Sequence, residues 1–101
     1  MSMISINCFA ADIAVMNEDG IFIYYNYTNN GTELSVTYGP GVKINSAGYE
    51  NLVTIPESVT FAGRTRTVTC IGDSAFWRCS SLTSITIPKS MKYIGYRAFY
   101  Q

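Results

Sequence analysis

The chain alternates between apolar and polar positions in short steps and never settles into a helical period. Ile21 to Tyr27 carries aromatic or β-branched residues on both faces and predicts a strand. Leu34, Val36 and Tyr38 alternate with Ser35 and Thr37 and predict a half-buried one. The segment between them, Thr28 to Thr32, contains Asn30-Gly31, a pair suited to the positive φ of a tight turn, so an antiparallel hairpin is expected. Asn17-Glu18-Asp19-Gly20 reads as an earlier turn. Gly39-Pro40-Gly41 breaks the second strand, and residues 45–51 read as loop. Leu52 to Ile55 predicts another strand, closed by Pro56, which has no N–H for a ladder. Ser58 to Phe61 and Arg64 to Cys70 flank Ala62-Gly63, a second tight turn with a threonine-rich, exposed arm.

The last third of the chain repeats itself. Ile71-Gly72-Asp73-Ser74-Ala75-Phe76-Trp77 returns as Ile94-Gly95-Tyr96-Arg97-Ala98-Phe99-Tyr100, with Ile, Gly, Ala and Phe preserved and an aromatic after each Phe. An offset in the twenties, as here, points to a solenoid, in which each unit buries its apolar face only against its neighbours. Asp73 and Ser74 are each able to cap a short helical turn over Ala75 to Cys79. Leu82, Ile85 and Ile87 then precede Pro88, and Met91 is the next apolar position before Ile94.

Residues 82–99 resemble one BspA-like leucine-rich repeat, whose unit runs Leu-x-x-Ile-x-Ile-Pro-x-x-Val-x-x-Ile-Gly-x-x-Ala-Phe-x-x-Cys. Met91 replaces the usual Val, and Cys79 matches the ladder cysteine of the first block. Val53-Thr54-Ile55-Pro56 aligns with Ile85-Thr86-Ile87-Pro88 as a degenerate earlier unit, lengthened by the Ala62-Gly63 hairpin and with Glu50 where Leu82 would stand. The resemblance is strong over residues 53–101 and loose before them. It implies a β-rich fold in which an N-terminal antiparallel hairpin or meander caps a partial leucine-rich repeat solenoid with 23-residue repeats and short helical turns. The expected organisation is a leader at 1–11, the cap at 12–52, and repeats at 53–101 with a hairpin inserted near 60–68.

In such a coil Ile55, Ile71, Phe76, Leu82, Ile85, Ile87, Ile94 and Phe99 form the repeat core. Ile71 is expected to stack on Ile94 and Phe76 on Phe99, with Gly72 and Gly95 allowing a tight corner. Thr54, Ser84 and Thr86 face outward on the concave side, where solenoids usually bind. Trp77 and Tyr100 share a repeat position and form either an exposed aromatic ladder or a brace on the outer wall.

Composition narrows the chemistry. Hydrophobic residues make up 48% and charged residues 14%, which fits a folded domain, and a net charge of zero argues against nucleic acid as a partner. The charges are nonetheless segregated. Residues 1–52 hold five acids against Lys43 alone, while residues 53–101 hold six basic residues against Glu57 and Asp73, read as the solvated faces of the repeats.

No histidine is present, which removes Ser–His–Asp and Cys–His catalysis and His-bearing metal motifs. Cys8, Cys70 and Cys79 show no metal or disulfide spacing, and Cys70 and Cys79 read as buried thiols. Asp12, Glu18 and Asp19 lack the calcium-loop spacing, so no metal or cofactor is expected. Asn26-Tyr27-Thr28 and Asn30-Gly31-Thr32 match glycosylation sequons that carry meaning only in a eukaryotic secretory pathway. Tyr24, Tyr25, Tyr27 and Tyr38 form either a recognition platform or sheet core with wet hydroxyls. Cys8-Phe9-Ala10 has the small-residue spacing of a signal-peptidase site without a basic or long apolar stretch before it, so residues 1–11 are a secretion remnant or a ragged terminus.

No segment is long and apolar enough to cross a membrane as a helix. The resemblance implies a non-enzymatic, extracellular or bacterial cell-surface module that adheres to a protein or polysaccharide ligand. The alternative is a self-association module, a homodimer formed through the open end of the solenoid or by domain swapping. With so few repeats, stability requires the β-rich cap or a second copy to supply the missing neighbour.

Overall fold

A computed structural model describes residues 11–39, 49–77, 79 and 81–99. The expected leader up to residue 10, with Cys8, and Tyr100 lie outside the described residues. The described residues form eight strands: β1 (Ile13–Met16), β2 (Phe22–Thr28), β3 (Glu33–Thr37), β4 (Asn51–Thr54), β5 (Ser58–Phe61), β6 (Arg64–Ile71), β7 (Leu82–Thr86) and β8 (Tyr93–Ile94). They build two sheets. One runs β1-β2-β3-β6-β5 with β8 also joined to β6, and the other pairs β4 with β7.

The cap is an antiparallel meander. β2 and β3 meet through Asn29, Asn30 and Gly31, all at positive φ, and pair from Tyr24↔Thr37 to Thr28↔Glu33. β1, which the alternation pattern did not predict, pairs with β2 from Ile13↔Tyr25 to Met16↔Phe22. Ile23, Tyr25, Leu34 and Val36 are fully buried, so one face of the meander is core. Of the four clustered tyrosines, Tyr25 is core, Tyr24 is half-buried, and Tyr27 and Tyr38 are exposed. Buried Tyr49 bridges the strands: its hydroxyl accepts the Tyr24 N–H at 3.0 Å and donates to the Thr37 carbonyl at 2.6 Å. Burial pushes the Tyr25 and Tyr49 hydroxyls well above the ordinary tyrosine pKa, in Tyr49 against the opposing pull of the Tyr24 N–H.

The cap imitates a repeat. β3 joins β6 in parallel, with Leu34↔Val68 and Val36↔Ile71, and β6 joins β8 in parallel, with Ile71↔Ile94. The Gly72 N–H donates to the Val36 carbonyl at 2.8 Å, and one coil later the Gly95 N–H donates to the Ile71 carbonyl at 2.7 Å. Val36 therefore occupies in the cap the place that Ile71 occupies in the first coil. Glu33 strengthens the join by accepting the Thr69 hydroxyl at 3.0 Å, with Lys92 of the next coil 4.0 Å away.

The expected hairpin insertion forms at β5 and β6, turning at Ala62 (φ 54°) and Gly63 (φ 80°). The expected short helical turns do not form, and no described residue is helical. Residues 73–77 are a chain of tight turns instead, for a reason visible in the hydrogen bonds. The N–H groups of Ala75, Trp77 and Cys79 bond three residues back, while those of Ser74 and Phe76 donate across to Tyr96 and Ala98 of the next coil. Every second donor is thus committed to the neighbouring coil and cannot enter a helical ladder. Ser74 (φ 61°) and Arg97 (φ 55°), equivalent positions one repeat apart, share the same left-handed backbone.

The core lies between the two sheets and contains Val53, Ile55, Val59, Val68, Ile71, Ala75, Phe76 and Cys79 alongside the cap residues. Cys79 is buried as expected, whereas Cys70 is only half-buried. Cys70 and the core-facing Ile71 point to opposite sides of β6, and that alternation brings Cys70 toward solvent.

Candidate functional site

The β4–β7 sheet carries the expected ligand-facing residues of its two strands. Pro56 and Pro88 end each segment, and the register places Leu52 against Ser84, Val53 against Ile85 and Thr54 against Thr86. Alternation then sorts the side chains. Val53 is fully buried and Ile85 half-buried against the core, while Leu52, Ser84 and Thr86 are exposed and Thr54 half-buried on the outer side. The pairing shifts between Asn51 and Leu52, where Asn51 takes a left-handed φ of 59°.

Thr54 and Thr86 are thus brought side by side, with Ser84 two residues from Thr86 on the same face. The face presents three hydroxyls, each able to donate and accept, next to Leu52, which is 49% exposed in the middle of a strand. Such a surface hydrogen-bonds neutral polar groups and shelters an apolar edge. The four described residues Leu52, Thr54, Ser84 and Thr86 include no carboxylate, amine or thiol. Among the described residues no group of three or more His, Cys, Asp or Glu side chains is placed to hold a metal.

Asn17 is a member of this region that reading the sequence missed. Its side-chain amide donates to the Thr54 carbonyl at 3.0 Å, and its side-chain oxygen accepts the N–H groups of Asp19 and Ile21. One residue thereby shapes the β1–β2 turn and fastens it to β4. The sequence marked it as a turn residue, but nothing local told of a partner 37 positions away.

Trp77, the described member of the aromatic pair, is not part of this face. It lies in the corner turn after β6, half-buried against the core. The stacking column inside the coil is Tyr49, Phe76 and Phe99: ring centroids are 4.7 Å apart for the first pair and 5.3 Å for the second, which is parallel to within 4°. Gly95 serves the corner through close approach rather than positive φ, since a Cβ there would fall 2.7 Å from the Asp73 nitrogen and 2.8 Å from the Gly72 carbonyl carbon. The Tyr96 N–H donates to the Asp73 carboxylate at 2.7 Å beside it.

Of the expected repeat core, Ile55, Ile71 and Phe76 are fully buried and Leu82 and Ile85 half-buried against the core. Ile87, Ile94 and Phe99 depart from expectation, with exposures of 40, 48 and 38%. They belong to the last described coil, which has the preceding coil on one side and no further described coil on the other. Val68, fully buried and one repeat period before Met91, is a core position that the recurrence would have revealed.

The comparisons agree with this geometry. The family model described as BspA type leucine-rich repeat region matches residues 43–101. A leucine-rich repeat protein from Bacteroides ovatus is 33% identical over 87% of this chain, with a TM-score of 0.68. A leucine-rich cell surface protein from Faecalibacterium prausnitzii is 26% identical over 90% of the chain, with a TM-score of 0.59. The chain spans about a fifth of each, 20% and 21% of their lengths. No curated protein sequence matches significantly.

Proposed function

The chain belongs to the BspA-type leucine-rich repeat family, and from that premise we propose that it is a non-enzymatic binding module of a secreted or cell-surface protein. In this reading β1 to β3 close one end of the solenoid, and the outer face of the β4–β7 sheet holds an extracellular protein or polysaccharide. The observation that carries it is the register Thr54↔Thr86 and Leu52↔Ser84, which places neutral hydroxyls beside an exposed leucine on one face. That mixture suits uncharged polar ligands, whose hydroxyl or amide groups exchange hydrogen bonds with threonine and serine while their apolar faces cover Leu52.

The test is binding of the purified chain to arrayed glycans and immobilised extracellular matrix proteins, repeated with Ser84→Arg and Thr86→Arg. Both positions are exposed, so the fold should survive, and the affinity of a true ligand should fall by about tenfold or more. Equal binding by both variants would sink the assignment of this face.

A further inference from the structure

The larger sheet begins at β1 and ends at β5, and these two ends meet around one groove. Its volume is about 300 Å³, and its lining includes Val15 and Met16 of β1, Val59 of β5, Tyr25, Pro56 and Glu18. Among the described residues β1 pairs only with β2 and β5 only with β6. Among those residues each therefore has a row of backbone donors and acceptors with no strand partner. An isolated edge offers one such row. Here residues of both edge strands line one groove, with Val15, Met16, Tyr25, Pro56 and Val59 supplying apolar surface and Asn17, Ser58 and Thr60 polar groups. Met16, 52% exposed, stands at the groove with nothing polar to recommend its position to solvent.

Charge selects the occupant. Glu18 is the charged side chain in the lining, which holds no lysine or arginine. Arg66, paired with Val59 on β6, is committed to the Gly31 carbonyl and the Tyr27 ring. Exposed Glu57 is not in the lining but flanks it in the chain, between the groove residues Pro56 and Ser58. We propose that the β1–β5 groove binds an extended basic segment of a partner protein by strand addition. Main-chain hydrogen bonds to the two edges would supply affinity, alternate apolar side chains would fill the groove, and lysines or arginines would meet Glu18 and the flanking Glu57. This site is separate from the β4–β7 face and does not depend on the reading given for it.

The experiment uses the full chain and a fluorescent, end-blocked peptide Lys-Val-Lys-Val-Lys-Val. It is run beside a twin N-methylated at each valine and a third peptide with Glu in place of Lys. The first peptide should bind, the N-methylated twin at least about tenfold more weakly, and the acidic peptide not measurably. Combining Glu18→Lys with Glu57→Lys, both exposed and outside the core, should weaken binding by about tenfold. Hydrogen exchange should slow at Ala14 to Met16 and Ser58 to Thr60 in the complex. Thr86→Arg should leave the affinity unchanged, which separates this site from the β4–β7 face. Equal binding of the N-methylated twin, protection confined to another part of the chain, or no binding at all would each overturn the proposal.

Discussion

Tyr49 joins β2 to β3 through one hydroxyl, accepting from Tyr24 and donating to Thr37 in a buried setting. Its ring also packs against Phe76, so cap and coil share it. Tyr49→Phe keeps the packing and strands a half-buried donor and a buried acceptor, which should cost about 1–3 kcal/mol in chemical denaturation. Tyr25 and Tyr49 also predict the alkaline behaviour. Their folded-state pKa values are raised, so the native chain keeps protons that the unfolded chain releases. Their contribution is complete below the ordinary tyrosine value of about 10 and is lost as pH rises above it. Denaturation midpoints should fall from about pH 9 to about pH 11, and less steeply in Tyr49→Phe. A flat profile would contradict the burial of both hydroxyls.

The turns between elements show how local chemistry and tertiary demand divide the work. Asn29-Asn30-Gly31 has residues that tolerate left-handed backbone, and the turn forms where the sequence says it should. Ala62 takes φ 54° with a Cβ that disfavours it, at an exposed hairpin tip. Ala62→Gly should therefore stabilise the chain by about 0.5–1 kcal/mol, seen as a higher melting temperature. A lower one would mean that the Ala62 side chain makes contacts worth more than its strain. The corner turns carry the opposite lesson. Asp73 and Ser74 are good helix caps by type, yet the segment after them lends alternate N–H groups to the next coil. Local propensity favoured a helical turn, and pairing with the equivalent segment of the following coil displaced it.

Across the molecule, stability should be graded along the solenoid axis. β3 covers Ile71 and Val68 on one side, and both are fully buried. The last described coil has Tyr93 at 61% exposure and Ile94 at 48%, each paired, among the described residues, on one side through β6. In repeat architectures each unit draws its stability from its neighbours, so in this 101-residue chain the coil with one described neighbour should open first. Native-state hydrogen exchange on this chain should show the amides of Lys92 and Gly95 opening at lower free energy than those of Val36, Val68 and Gly72. Uniform exchange would instead mark one cooperative unit, or a second copy covering the open face.

The sequence by itself determined the repeat and most strands. The recurrence located the corner glycines and the Phe76–Phe99 stack, because every coil must solve the same packing problem with the same residue types. Alternation and turn residues placed β2, β3, β4 and the β5–β6 hairpin within a residue or two, because those signals are local. Ile13-Ala14-Val15-Met16 was short and apolar beside an unassigned leader, and it became a strand only because β2 offered an edge. The parallel join of β3 to β6, the bridge from Asn17 to Thr54 and the meeting of β1 with β5 around one groove were decided by tertiary structure. Each unites residues far apart along the chain, and no short-range pattern records which distant backbone will satisfy a given donor.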